Sequence, residues 1–574
     1  MRFILPVTAI LTVISHAAGL DAVIGEFQAD RRDLSNSPAV SWSSAARGRE
    51  DALLSAWETR LTTLDYDSLD ATARIDWHLL HTSLQERRDD LHLEDARFQE
   101  IQPLLAFSQP LLDLTAALAG RQLADPQKSA EVLARAVTGV KELRKKLDAG
   151  RAKDAPADAL RPTPVFALRA ASALDELSSK LAGWYSLYDG FQPDFTWWNH
   201  QPYDALTAEI GGLAGFLRKD IANQKGEPGD PLVGDPIGAD AIRTSLQAEM
   251  IPYSAEELIA IAEKEFAWCQ AEMKTAAALM NCNTTAEALE KVKSHHVPPG
   301  EQAATAIAEA QKAIRFLKEN QLITIPPLAE ESWGIGMIGP KQQASMPYAV
   351  YGQPRIMVAY AHEDMSQSDK LESMRGNAYG FLHIVTPHEL IPGHHLQGFM
   401  ARRHSTWRAP FNTPFLVEGW SLHWEMLLWE HGYVATPEEK VGALFWRMHR
   451  CARIIVSLKF HLGQMTPDEM ITFLVDQVGH EKSGATAEVR RYIGGSYGPL
   501  YQAAYMIGGL QLHALQRELT APTPANPAGT GTLTIMQFHD QVLRQGAIPI
   551  EMIRAALKGE SLPKDWKPAW KFAN

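Results

Sequence analysis

The sequence predicts a mainly α-helical protein with a small β-sheet placed just before a histidine-rich segment. From about residue 45 to 330, apolar residues recur at three- and four-residue spacings. Between about 325 and 387, short β-prone runs alternate with Pro and Gly, and Thr-Pro helix starts mark the rest of the chain. With 574 residues, 45% of them hydrophobic, the chain has ample material for a large core.

The first residues have the pattern of a secretory signal peptide, assigned here to residues 1–17. Arg2 precedes an apolar stretch from Phe3 to Ile14, and small residues follow, so cleavage is expected after Ala17 or Ala18. A short membrane anchor is the alternative, but the apolar run is shorter than the roughly 20 residues that a span needs. We therefore expect a secreted or periplasmic chain without a stable membrane anchor, and the lack of a following cysteine argues against a lipid anchor.

Residues 18–330 are predicted to form an N-terminal helical region. The run "SAEVLARAVTGVKELRKKLDAG" is amphipathic and ends at Gly150. Ser254, with Glu257 three residues later, has the capping-box pattern of a helix start. A loop rich in Pro, Gly and Asp interrupts the region at about residues 225–241 and is a candidate border of a cleft or subdomain.

Residues 331–574 are predicted to form a C-terminal metal-binding region, and the two halves to make one body around a cleft. The runs "PYAVYGQPRIMVAYA" and "YGFLHIVT" indicate strands, and helices resume at Pro387. One helix should begin with Thr413 as N-cap and Pro414 at its first position, and end at Gly432. Thr466, followed by proline, repeats this start.

Charge and cysteine content exclude several classes of function. A net charge of −13 and the lack of a dense basic run argue against nucleic-acid binding. Three cysteines, Cys269, Cys282 and Cys451, are too few for a disulfide scaffold or a thiolate-only metal site. A bridge between Cys269 and Cys282 stays open at this point.

The segment "HELIPGHH" resembles a helical zinc-binding pattern interrupted by two extra residues. A straight helix would point His394 about 240° away from His388, and would place His395 on the same face but about 10 Å along the axis. Pro392 removes a backbone donor and clashes with the preceding turn, while Gly393 accepts unusual backbone angles. If the extra residues loop out, His394 takes the place of the second ligand, with His395 as the rival ligand.

Two glutamates complete a candidate zinc site with these histidines. Glu389, directly after His388, is placed to remove the proton from an attacking water. Glu418 lies in an apolar stretch on a helix 30 residues after His388, where an ionised carboxylate needs a compensating partner. Glu425 shares the face of Glu418 and is a candidate partner of a ligand or of substrate. The plainer alternatives are a polar turn for the histidines and a surface carboxylate for Glu418.

These residues resemble the DUF885 family, which is allied to zinc metallopeptidases whose third ligand is glutamate. The pattern "HE-x-x-PGHH-x-Q" matches His388 to Gln397, and "EGW-A-L-Y-x-E" matches Glu418 to Glu425, with Ser421 and His423 as departures. Further similarity lies in "RMHRCARIIVSLKFHLG" and in "EVRRYIGGSYGPLYQAAYMIG", where Leu500, Tyr501 and Gln502 depart from the family's Gly-Gln-Ala. The specific motifs lie between about 388 and 510.

The resemblance implies a helical, cleft-bearing metallopeptidase fold, and its alignment favours His394 over His395. It also implies tyrosine or histidine donors to the oxyanion from C-terminal helices, for which Tyr505 is the first candidate and Tyr492 and His461 are the next. Each of the three is equally typical of a packed core residue with a bonded polar tip. Arg491 is a candidate for binding a substrate carboxylate, although an arginine is more often a structural ion-pair partner.

The sequence therefore predicts a Zn²⁺-dependent peptidase acting on oligopeptides, in which His388, His394 and Glu418 hold the metal and Glu389 is the general base. A carboxypeptidase mode would fit the proposed role of Arg491. Two alternatives remain open: a zinc hydrolase of a non-peptide acyl substrate, and a noncatalytic binding protein that keeps the scaffold. Substrate length, side-chain preference and oligomeric state are not predicted.

Overall fold

The structure, a computed structural model, describes residues 19–227, 229–343, 346–494, 497–523 and 527–573. The predicted signal peptide lies outside these residues. The mainly helical fold class with a small sheet is confirmed. In the described part of the chain, no helix is both long and apolar enough to cross a membrane.

The helices of the first half are α1 (Leu20–Ser35), α2 (Ser44–Thr62), α3 (Ala71–Ile101), α4 (Gln109–Ala119), α5 (Pro126–Gly150), α6 (Pro164–Ser186), α7 (Pro193–Phe216), α8 (Gly238–Ala248), α9 (Ala255–Leu279), α10 (Thr285–Ser294), α11 (Gln302–Glu319) and α12 (Pro327–Ser332). A mixed region follows with β1 (Gly334–Met337), α13 (Pro340–Gln343), β2 (Ala349–Gly352), β3 (Arg355–Val358) and α14 (Gln367–Gly376). The helices of the second half are α15 (Tyr379–Glu389), α16 (His394–Ala401), α17 (Pro414–Glu430), α18 (Pro437–His461), α19 (Pro467–Phe473), α20 (Lys482–Ile493), α21 (Tyr501–Leu519), α22 (Ile535–Leu543) and α23 (Ile550–Lys558).

Several predicted helix boundaries are confirmed by side-chain caps. Ser254 and Glu257 form the expected capping box at the start of α9. The Thr413 hydroxyl accepts the Phe415 N–H at the start of α17, and Thr466 caps α19. These caps satisfy backbone donors that the first turn of a helix leaves without partners.

The small sheet confirms one predicted pair of strands and corrects another assignment. Its order is β1-β3-β2, with β1 parallel and β2 antiparallel to β3. The run "YGFLHIVT", predicted as a strand, lies in helix α15 instead, so helices resume before Pro387. The prediction was wrong because α15 is buried over nearly its whole length, and a short apolar run does not distinguish a buried helix from a buried strand.

The described residues form two hydrophobic clusters. The larger one draws on residues 20–91 and 242–572, and the smaller one on residue 40 and residues 101–222. The predicted loop at about 225–241 lies where the chain leaves the smaller cluster for the larger one. The predicted division near residue 330 stays a prediction. All three cysteines are free, so the bridge between Cys269 and Cys282 is not formed.

Helices α17 and α21 pack closely because glycines meet where they contact. A Cβ on Gly419 would lie 2.5 Å from the backbone of Gly508, and one on Gly508 would lie 1.9 Å from the carbonyl oxygen of Phe415. No side chain larger than hydrogen fits between the two backbones there. This close approach brings Glu418 on α17 next to the first turns of α21.

Candidate metal centre

The "HELIPGHH" segment forms two helices joined by a short loop. Helix α15 ends at Glu389, α16 begins at His394, and residues 390–393 form a buried loop between them. The Gly393 N–H donates to the carbonyl of Pro387 at 3.0 Å, and the His395 N–H donates to that of Leu390 at 3.0 Å. The loop thus folds back onto the end of α15 and brings the two helices together.

Two side chains of α17 hold this loop in place. The indole N–H of Trp420 donates to the carbonyl of Pro392 at 2.8 Å, and the Ser421 hydroxyl donates to that of His388 at 2.9 Å. Both acceptors are buried backbone groups that the interrupted helix leaves without their usual partners. Ser421 departs from the family pattern, and its hydroxyl donates to the backbone rather than to a side chain of the candidate metal centre.

The loop places His388 and His394 together with Glu418. One ligand atom from each lies within 4.8 Å of the others, and all three residues are buried. Glu418 Oε2 is 3.2 Å from His394 Nε2 and 3.8 Å from His388 Nε2. Two ligands bound tetrahedrally to one zinc ion, at about 2.1 Å each, would be about 3.4 Å apart. The spacing therefore fits a single zinc ion.

The remaining bonds of Glu418 also fit a metal ligand. The Tyr501 hydroxyl donates to Glu418 Oε1 in a short hydrogen bond. Glu418 Oε2, which faces the two histidines, is buried without a hydrogen-bond partner. Burial opposes ionisation, but the nearby His394 and His388 hold the pKa of Glu418 well below its usual range. A buried carboxylate oxygen without a donor calls for a cation at this position.

His388 is oriented by a second carboxylate. Its Nδ1 donates to Glu425 Oε1 at 2.6 Å, which leaves Nε2 directed at the cluster. Glu425 in turn accepts a bond from Arg450 at 3.3 Å. Burial lowers the pKa of His388, but the facing carboxylates of Glu418 and Glu425 outweigh it and raise that pKa to about 9. A carboxylate on the far nitrogen of a ligating histidine sets its tautomer and increases its basicity.

Glu389 lies next to the cluster at the last position of α15. Its side chain is buried, and burial raises the pKa of Glu389 although His388 and His394 act to lower it. A raised pKa brings a carboxylate closer to the range in which it exchanges protons with substrate at neutral pH. The predicted position of the base is therefore compatible with proton transfer.

His395 points away from the cluster. Its Nε2 donates to the carbonyl of Ala329 at 2.9 Å, and its Nδ1 accepts from the Tyr351 hydroxyl at 3.2 Å. Since both ring nitrogens are bonded to other groups, neither is free to bind a metal. The structure thus places the rival ligand in a packing role between α12, strand β2 and α16.

The two tyrosines proposed as oxyanion donors, Tyr505 and Tyr492, make different contacts. The Tyr505 ring is nearly parallel to that of His388, with centroids 6.3 Å apart. The Tyr492 hydroxyl donates to Glu488 at 2.6 Å and accepts from Arg453 at 3.0 Å. Tyr492 is therefore already committed to a buried ion pair.

The structure places His461 at the far end of α18, away from the residues of that helix that contact the site. It follows Arg450 by eleven residues on α18, which is about 16 Å along the helix. Burial and the charge of Arg97 lower the pKa of His461 to about 4, so its neighbours belong to another region. Its proximity to the site could not be judged from the sequence because an isolated histidine carries no spacing relation to the ligands.

Sequence reasoning assigned no role at the site to Tyr501 or Arg450. Tyr501 lies four residues before Tyr505 on α21, so both side chains share one helix face. That spacing was an available signal, since it places a second hydroxyl beside any site that Tyr505 reaches. Arg450 belonged to a noted arginine pair, but its contact with Glu425 depends on the packing of two distant helices.

Comparisons with known proteins agree with this architecture. The profile of the family described as "Bacterial protein of unknown function (DUF885)" matches residues 27–557. A "putative lipoprotein of unknown function" from Shewanella oneidensis has a similar structure, with a TM-score of 0.66, 17% identity, and coverage of 94% of this chain and 100% of the other. The structure of a "putative lipoprotein" from Colwellia psychrerythraea gives a TM-score of 0.57 at 16% identity, covering 94% and 98%. No curated protein matches the sequence. At these identities the likeness shows the fold alone.

Proposed function

Since the chain belongs to the DUF885 family, whose description assigns no activity, we propose from the metal centre that it is a zinc-dependent peptidase. The observation that supports this most is Glu418 Oε2, a buried carboxylate oxygen without a donor that faces two histidine nitrogens. His388, His394 and Glu418 would hold the ion. Zinc held by these two histidines and this glutamate would act as a Lewis acid that activates a water molecule and polarises the substrate carbonyl.

The residues of the chain itself have distinct roles in this proposal. Glu389 takes the proton of the attacking water and returns it to the amine of the leaving group. Glu425 keeps the proton on His388 Nδ1, so that the other nitrogen carries a lone pair. Tyr505, beside His388, is the preferred donor to the oxyanion that develops on the substrate carbonyl.

The proposed compartment is extracytoplasmic. The structural neighbours are described as bacterial lipoproteins, and the sequence pattern of residues 1–17 is typical of a secretory signal. Export of the full-length chain in a bacterial host, followed by N-terminal sequencing of the periplasmic fraction, tests this proposal. Recovery of the uncleaved chain in the cytoplasm would contradict it.

Metal analysis and hydrolysis together test the proposed function. Purified protein should contain about one zinc per chain and should hydrolyse unstructured oligopeptides. Glu389→Gln should keep the metal and lose at least 100-fold in kcat/KM, because the base typically supplies that much. Glu363→Gln is the matched control, since Glu363 also follows a histidine but is exposed and outside the cluster.

A second pair of variants tests the ligand assignment. His394→Ala should lose stoichiometric zinc, whereas His395→Ala should keep it because His395 bonds to Ala329 and Tyr351 instead. Zinc retained by the first variant and lost by the second would overturn the assignment. Wild-type protein that holds zinc but cleaves matched esters and no peptide would favour the acyl hydrolase alternative.

A further inference from the structure

Several arginine side chains lie near Tyr505, in the buried region next to the candidate metal centre. The guanidinium carbon of Arg453 lies 4.5 Å from the centroid of the Tyr505 ring, and that of Arg450 lies 4.8 Å from it. Arg491 also acts electrostatically on Tyr505, lowering its pKa against the effect of burial. Since the Tyr505 ring lies beside His388, these cations are one side chain away from the metal ligands.

These three cations share two carboxylates. Arg450 donates to Glu425 at 3.3 Å, whereas Arg453 at 2.9 Å and Arg491 at 3.7 Å both face Glu488. Each guanidinium also keeps a buried N–H group without a hydrogen-bond partner: Nε of Arg450, Nη1 of Arg453 and Nε of Arg491. Burying a cation with unused donors costs free energy unless an anion neutralises its charge and accepts their hydrogen bonds.

An unpaired amide lies on the helix that carries Tyr505. Gln502 is 2% exposed, and neither its side-chain nitrogen nor its oxygen has a partner. It precedes Tyr505 by three residues, so the two side chains are neighbours on α21. The region therefore offers several unused donors in addition to its excess positive charge.

We infer that Arg453 and Arg491, together with Gln502, form a subsite for a carboxylate of the substrate beside the metal centre. Arg450 is left out because its charge is balanced by Glu425, which holds His388. This inference rests on the proposed peptidase function and narrows its substrates to peptides with a carboxylate near the cleaved bond. That carboxylate is either the chain terminus or an acidic side chain.

The dimensions agree with such a subsite. The centroid of the Tyr505 ring is 6.3 Å from that of His388 and 4.5 Å from the guanidinium carbon of Arg453. The His388 ring and the Arg453 guanidinium are thus at most about 11 Å apart, a span that one or two extended residues of roughly 3.5 Å each cover together with their end contacts. The bond cleaved would lie within two residues of the carboxylate.

Calorimetric binding to the full chain, with and without bound zinc, tests the subsite. Three probes are compared: N-acetyl-Ala-Ala-Ala, its C-terminal amide, and the amide of N-acetyl-Ala-Ala-Glu. The free acid should bind at least tenfold tighter than the neutral amide if the chain terminus is recognised. The glutamyl amide should do so if an acidic side chain is recognised. Equal affinity for all three probes would overturn the inference.

Variants separate this subsite from the metal centre. Arg491→Gln should reduce carboxylate binding at least tenfold, whereas Arg490→Gln should not, because Arg490 donates to the Asp230 carbonyl. Glu488→Gln should tighten carboxylate binding, since it leaves three cations beside one carboxylate. Preference for carboxylates in metal-free protein supports the subsite even if peptide hydrolysis fails. Hydrolysis of the free acid, the neutral amide and the glutamyl amide at equal rates would support the peptidase and refute the subsite.

Discussion

Replacing Gly393 by alanine tests the geometry on which the metal centre depends. A Cβ at this position would lie 1.8 Å from the carbonyl oxygen of His388 and 2.7 Å from that of Pro387. Real Cβ contacts essentially never fall below 3.0 Å, so the backbone has to move by about 1.2 Å. Both contacts are with backbone atoms, and no side chain can rotate away to relieve them.

The displacement acts directly on the ligands. His394 follows Gly393, and the carbonyl that clashes belongs to His388 itself. Zinc ligands tolerate about 0.2 Å of error in their distances, which is far less than the required movement. We therefore expect Gly393→Ala to weaken zinc binding by more than 100-fold and to lower the free energy of unfolding by about 2–4 kcal/mol.

Competition with a chromogenic chelator measures the zinc affinity, and denaturant unfolding measures the stability. Gly398→Ala is the matched control, because its Cβ would meet only the flexible ends of Arg402 and Gln353, at 3.3 and 3.5 Å. This control lies within α16 and should gain up to about 1 kcal/mol of helix stability. A folded Gly393→Ala protein with wild-type zinc affinity would refute the argument.

Three further predictions concern charge and metal binding. Glu425→Gln should weaken zinc binding about 10–100-fold in the chelator competition, because His388 loses its charged acceptor, and unchanged affinity would contradict this role. Burial raises the pKa of Glu249 from 4.5 to about 8, opposed by the hydrogen bond from Thr413. Between pH 4.5 and about 8, the folded chain therefore keeps a proton on Glu249 that the unfolded chain releases. The stability that this proton contributes is lost as the pH rises through this range. Glu249→Gln cannot ionise and should therefore remove this loss of stability, which amounts to up to about 5 kcal/mol. The variant should raise the melting temperature more at pH 8.5 than at pH 5.5. An equal gain at both pH values would contradict the raised pKa of Glu249. Zinc at 1,000 times its Kd should add about 4 kcal/mol to the free energy of unfolding of the wild type, but not of Glu418→Ala, and equal stabilisation of both would place the ion elsewhere.

Local signals in the sequence were sufficient for the helix starts and for the candidate ligands. Ser254 and Thr413 cap helices as predicted, because a cap depends on residues only two or three positions away. The displacement of His394 from its position in a straight helix was also predicted by local rules, since proline and glycine change the backbone at their own positions. The strand assigned to "YGFLHIVT" was wrong because the helical state of this run depends on burial by distant helices, which local signals do not report.

The partners of each ligand depended on contacts between distant segments. The Ala329 carbonyl that engages His395 lies 66 residues away in sequence, and Tyr501 lies 83 residues from Glu418. No periodicity encodes such pairs, because they arise only when helices pack through close contacts such as that between Gly419 and Gly508. The residue types and spacing in "HELIPGHH" therefore predict a candidate metal site, while the packing of α12, α17 and α21 decides which histidine faces Glu418 and which groups bond to the other.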